Sequence, residues 1–207
     1  MAPPRIVIVS GFTAAGKTTH CRLLAAALGW RYIGMSSIRK SCVVGSSSQR
    51  QEWLPGGDRL RSADTGLDLE MDRLLTQSIE SLDEPVVVDA WLQPWLCPLS
   101  GAVRVWLHSD FDSRAAKAQV SRLRSGLAPS STLEATIAEK DRFSVDHFRR
   151  LYGIEFGADP DVFDLRLDNS HLIDEPTIQA SDKGIARFAP IFNASVGALL
   201  QEGRNGV

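Results

Sequence analysis

The chain has 207 residues, 43% of them hydrophobic, enough to bury one full core as a single domain over 1–207. Its net charge of −2 lacks the basic surplus of a dedicated nucleic-acid binder, and no apolar run approaches membrane-spanning length or a signal peptide's core. Cys21, Cys42 and Cys97 are odd in number and widely spaced, without metal-ligand spacing, and read as reduced thiols of a cytoplasmic protein.

Arg5–Ser10 (RIVIVS) is short, β-branched and apolar, as in a strand buried on both faces. GFTAAGKT, Gly11 to Thr18, fits G-x-x-x-x-G-K-[ST] at every position, and from Lys17 the pattern turns helical, with Leu23, Leu24, Ala27 and Leu28 on one stripe up to Gly29. In this context the motif is a phosphate-binding loop for a nucleoside triphosphate. Gly11, Ala14, Ala15 and Gly16 turn successive N–H groups inward toward phosphate oxygens, and the helix N-terminus adds partial positive charge. Lys17 reaches the β- and γ-phosphates, the Thr18 hydroxyl is a natural Mg²⁺ ligand, and Thr19 falls at the α-phosphate. A plain glycine turn between strand and helix is the alternative.

A strand around Arg31–Ile33 follows, then a polar, weakly patterned stretch to about Thr65. Next come a helix over Leu67–Ser81, the strand Val86-Val87-Val88-Asp89, and a strand at Val103–Leu107. Helices over about Asp112–Arg124 and Thr132–Tyr152, a strand at Phe163–Leu167 and a helix over about Lys183–Leu200 complete the chain. The alternation predicts an α/β, three-layer P-loop NTPase fold: a parallel five-stranded sheet between helices, with ligands beyond the strands' C-terminal ends. Asp89, ending its strand beside the loop, reads as a Mg²⁺-associated carboxylate acting through water, or as an acid that merely starts a loop.

Size favours a compact kinase over motors or switches, and no N-K-x-D base-reading signature is present. Residues 112–152 form two basic helices around a polar connection. Arg114, Lys117, Arg122 and Arg124 precede it; Lys140, Arg142, Arg149 and Arg150 follow. Such a segment can act as a lid that places cations on the moving phosphoryl group and excludes water. Two amphipathic helices with solvated charged faces would look the same.

Loop and lid together resemble the nucleoside monophosphate kinases, most of all the shorter branch of the cytidylate kinase family. SRAAKA, TIAEKD with RRLYGIE, VFDLRLDNSHL and YIGMSSIRK carry the resemblance, which runs from about Arg5 to Leu172. It implies ATP and Mg²⁺ as cofactors. Lys17, Lys140 and Arg114 would be catalytic cations, Arg114 and Lys117 would lie near the nucleotide, and Asp141 would match the family's lid acid. Arg39 or Lys40, in an acceptor-binding region over about 34–66, would hold the acceptor's phosphate, and Asp168 would begin a turn near the donor base. A small-molecule acceptor such as a pyrimidine nucleoside monophosphate is expected, with neither nucleic acid nor membrane as partner, in a monomer or homodimer.

The chain also departs from that pattern. Ser36-Ser37 replaces a Gly-Asp, Asp89-Ala90-Trp91 stands where an arginine would end the motif, and a further lid arginine falls at His147. Neither Trp nor neutral His reproduces arginine's paired hydrogen bonds to phosphate. Trp91 and Trp95 could stack on an acceptor base, wall off an apolar ligand, or pack under the lid. Phosphorylation of a nonphosphorylated metabolite or antibiotic therefore stays open, as does an ATP-binding regulator without transfer. For a hydroxyl acceptor, Asp89 or Asp58 could serve as base.

Overall fold

The computed structural model describes residues 5–34, 65–97, 99 and 101–205. Cys42, Arg39, Lys40, Asp58 and nearly all of the acceptor-binding region expected over 34–66 lie outside them. In chain order the elements are β1 (Ile6–Ser10), α1 (Lys17–Leu28), β2 (Arg31–Gly34), α2 (Thr65–Glu80), β3 (Val86–Asp89), α3 (Gln93–Leu96), β4 (Val103–His108), α4 (Phe111–Arg124), α5 (Leu133–Tyr152), β5 (Leu165–Asp168) and α6 (Ile178–Asn205).

All strand pairs are parallel, in the order β2-β3-β1-β4-β5. From the central β1 the chain first builds β2 and β3 to one side and then β4 and β5 to the other. The C-terminal ends of β1, β3 and β4 therefore open onto one crevice at the point of reversal. Alternate residues of each strand face opposite layers. Val7, Val9, Val105 and Leu107 pack with Cys21 and Leu24 of α1 and Phe188, Phe192 and Val196 of α6. Ile8, Val86 and Val88 face Leu75 and Ile79 of α2. On that second side, Trp106 of β4 joins Leu92, Phe148, Phe156 and Phe163 in an aromatic cluster. Cys21 and Cys97 are free and buried, and no helix among the described residues is long and apolar enough to cross a membrane.

Gly29, at φ 65°, closes α1 as its sequence position predicts, with the Trp30 N–H bonded to Ala25 O at 2.9 Å. Several boundaries differ from the sequence reading, and one short element was not foreseen. The fifth strand begins at Leu165 rather than Phe163, because Phe163 turns into the aromatic cluster and its N–H bonds to Asp159 O at 3.1 Å. The last helix runs from Ile178 to Asn205, through Gly184, Pro190 and Gly197. Phe188, Phe192, Val196 and Leu200, four residues apart, bury a continuous stripe there, and that burial outweighs the helix-breaking residues. The single turn α3, with Pro94 near its start, has no periodicity to betray it in the sequence.

Candidate active site

The loop between β1 and α1 sits at the crevice. Gly11 has φ 152°, and a Cβ there would lie 2.4 Å from the backbone oxygen of Leu107 on β4, so only glycine lets the loop pass this close. Ala14 and Gly16 also adopt positive φ, 60° and 92°, which turns the peptides into a concave run entering α1. Ala15 is fully buried, whereas Thr18 and Thr19 are exposed at the start of the helix.

Lys17 is 8% exposed and lies across the loop it belongs to, donating from Nζ to Gly11 O at 2.7 Å and Phe12 O at 2.9 Å. Burial lowers its pKa, and the Asp89 carboxylate opposes that shift. Asp89 ends β3 and accepts hydrogen bonds at Oδ2 from the Thr18 hydroxyl and, at 3.3 Å, from the Tyr32 hydroxyl. One carboxylate is thereby tied to the head of α1 and to β2. A hydroxyl and a carboxylate in contact suit Mg²⁺, which keeps several waters and takes its remaining ligands from phosphate oxygens.

The helices α4 and α5, the pair read from the sequence as a lid, grip the loop from outside. Arg114 of α4, 7% exposed, donates to Thr13 O at 3.1 Å and forms an ion pair with Asp141 of α5. Asp141 in turn accepts the Thr13 N–H at 3.3 Å. Both main-chain polar groups of the loop tip's Thr13 are thus held by one buried charge pair. Lys117, one turn along α4, donates to Ser109 Oγ (2.7 Å), Asn169 O (2.9 Å) and Asn169 Oδ1 (2.6 Å). Asn169 Nδ2 donates to Ala15 O at 2.8 Å, so the turn after β5 is tied to the loop. Burial pushes the Lys117 ammonium down to about 8.

The remaining lid cations divide. Lys140 Nζ reaches inward to lie 5.8 Å from the centroid of the Trp91 ring, with Lys17 Nζ at 5.5 Å from the same centroid. Arg122 bonds to Ala128 O, Arg124 pairs with Asp182 and Arg149 pairs with Glu155, all at the surface, and Arg142 and Arg150 are exposed. Two of the lid's basic groups clamp the loop, one faces the crevice, and the rest are solvated.

Trp91 and Trp95 both enter the aromatic cluster, Trp91 stacked on Phe156 (5.8 Å, 27°) and Trp95 edge-on to Phe163 (5.1 Å). His147 is 2% exposed and stacked on Phe143, so it packs inside α5's buried side. Asp168 is exposed and accepts the N–H and hydroxyl of Ser170, shaping the D-N-S turn. Sequence reasoning missed Asn169, Ser109 and Tyr32 as supports of the site. For Asn169 a signal existed, since it stands inside the D-N-S motif.

A parallel sheet, a nest of amides at the switch point, and buried cations around it define a P-loop phosphotransferase. Residues 6–171 match the model of the cytidylate kinase-like family, and the chain belongs to that family. It is 26% identical over 174 residues to a cytidylate kinase of Ignicoccus hospitalis, spanning 84% of this chain and 95% of the relative. It is 29% identical over 180 residues to that of Aeropyrum pernix, spanning 87% and 98%. A candidate kinase from Chloroflexus aurantiacus shares the fold over all of both chains, with a TM-score of 0.55 at 16% identity. A protein from Eubacterium ventriosum shares it with a TM-score of 0.56 at 10% identity, over 89% of this chain and 98% of the other. Membership of this family makes the protein an ATP-dependent kinase acting on a small molecule.

Proposed function

We propose that the protein transfers the γ-phosphoryl group of Mg-ATP to a pyrimidine nucleoside monophosphate of the CMP or dCMP type. The observation that supports it most is the pairing of Lys17 from the loop with Lys140 from the lid beside one ring, at the end of the strand that carries Asp89. Two ammonium groups there would meet the charge that spreads over a phosphoryl group in flight. Family membership and the likeness to cytidylate kinases favour the CMP-type acceptor.

In this reading Gly11 to Gly16 present amides to the triphosphate, and Lys17 leaves the carbonyls of Gly11 and Phe12 for its β- and γ-oxygens. Thr18 and Asp89 would hold Mg²⁺, which neutralises phosphate charge and orients the triphosphate when bound. Arg114, Asp141 and Lys117 fix the loop and its neighbouring turn from outside, and α5 over the crevice excludes water. A phosphate acceptor is already an anion at neutral pH and requires no base; Arg39 or Lys40 would anchor it. The work of the chain is then orientation and charge stabilisation.

A second reading has one observation in its favour. The residue after Asp89-Ala90 is an indole whose ring stacks on Phe156, and no guanidinium stands at that position to grip an acceptor phosphate. A neutral hydroxyl acceptor would suit such a wall, with Asp89 as the base. Incubation with Mg-ATP and a panel of CMP, dCMP, UMP, AMP and polyhydroxylated metabolites separates the two. Turnover with CMP or dCMP supports the first; failure of every monophosphate beside intact ATP binding removes it.

A further inference from the structure

Lys140 comes from the lid, far along the chain from the loop it faces, on a flexible four-carbon stem. A lysine lacks the planar fork with which arginine locks itself by paired hydrogen bonds. It also approaches a second ammonium, Lys17, whose pKa its charge helps to lower. Lys17 is held by the carbonyls of Gly11 and Phe12, and a face that attracts both ammonium groups favours their standing side by side.

The Trp91 ring is placed to supply such a face. Both Nζ atoms lie over it, at 5.5 Å for Lys17 and 5.8 Å for Lys140, within the roughly 6 Å reach over which an aromatic face attracts a cation, tryptophan most strongly. The ring is itself immobilised. Its main-chain oxygen accepts the Ser10 hydroxyl at 2.7 Å, at the end of β1, and Phe156 stacks against it. Phe148 of α5 meets it edge-on at 5.7 Å, and Phe156 rests on Trp106, which is 1% exposed within β4. The indole is therefore fastened to the sheet and to the lid at once.

We infer that Trp91 is a positioning residue for phosphoryl transfer, whose π-face holds Lys140 of the lid beside Lys17 of the loop. The inference rests on the phosphotransfer reading above for its effect on rate, but not for the contact itself. It assigns to this tryptophan a task that base stacking or passive packing would not require.

Progressive fluorination of tryptophan drains charge from the ring face while leaving its shape nearly intact. In protein grown with mono-, di- and trifluorotryptophan, kcat should fall stepwise, by about tenfold over the series, with KM for Mg-ATP little changed. In the Trp91→Leu variant kcat should start about tenfold low, and fluorination of the other tryptophans should change it no further. Trp91→Phe, which keeps a weaker π-face, should recover part of the loss. A second arm needs no turnover. In 5-fluorotryptophan-labelled protein, the Trp91 ¹⁹F resonance, identified by its absence from Trp91→Phe, should move when Lys140→Met is introduced. A flat kcat series, or a resonance indifferent to Lys140→Met, overturns the inference. Should no acceptor support turnover, the functional reading fails while the ¹⁹F arm still decides the contact.

Discussion

The two sides of the crevice, proposed to take donor and acceptor, are held by different forces. On the donor side the loop is fixed through its own main chain: Thr13 by Arg114 and Asp141, Ala15 by Asn169, Gly11 and Phe12 by Lys17. On the acceptor side, beyond β3, the described wall is aromatic, built from Trp91, Trp95, Phe148, Phe156 and Phe163. Directional bonds to a main chain tolerate few substitutes, since each donor must meet one acceptor at one distance. A cluster of rings can change a member and repack. The donor side is thus tied to one geometry, whereas the aromatic side can be recomposed.

Substitutions can break that contrast. The largest effect is expected for Lys17→Ala, which removes the cation at the centre of the donor side. kcat/KM should fall by at least about a thousandfold, with the fold retained by circular dichroism. Near-normal turnover would end the proposed mechanism. Asp141→Ala should come next, because it leaves the Arg114 guanidinium buried without its carboxylate. A loss of about 3–5 kcal/mol in urea unfolding is expected, with weakened ATP binding by calorimetry. If stability changes while ATP affinity does not, the clamp on Thr13 is not what shapes the loop.

A third test sharpens the contrast through pH. His20 packs between the loop and α6, its ring centroid 4.9 Å from that of Phe188 and 5.6 Å from that of Phe192, and burial lowers its pKa from 6.5 to about 4, with Lys117 adding to the shift. The unfolded chain binds a proton at a higher pH than the folded one, so stability is full above about 6.5 and declines as pH falls toward 4. The native state should lose up to roughly 3 kcal/mol over that window, and His20→Gln should flatten the loss. Equal acid sensitivity of both proteins in denaturant titrations at pH 7, 5.5 and 4 would assign it elsewhere. The smallest effect is expected on the aromatic side, where Trp95→Phe should cost on the order of 1–2 kcal/mol and leave KM for ATP unchanged.

How far the sequence spoke follows the same division. The loop, β1, α1 and β3 were legible because their signals are local: a glycine spacing, a β-branched run, a helical stripe closed by Gly29. The partners of the loop were less so. Asn169 and Ala15 are 154 positions apart, and only the parallel order of the sheet brings the turn after β5 beside the loop. The lid's eight basic residues look alike in sequence, and only folding separates the buried Arg114 from the exposed Arg124. Phe163 was read as strand from its apolar character, yet the ring cluster claims it.

The side-chain amide of Asn169 has a direction. Its nitrogen serves the Ala15 oxygen and its oxygen serves the Lys117 ammonium, so it is wedged, at 1% exposure, between one acceptor and one donor. Asn169→Asp keeps the shape but sets two oxygens against that carbonyl, favouring Lys117 and letting Ala15 go. Faster hydrogen exchange at the amides of Ala15 and Gly16 would register the release. A single polarity, rather than any bulk of packing, decides whether the far edge of the sheet and the nucleotide cradle travel together.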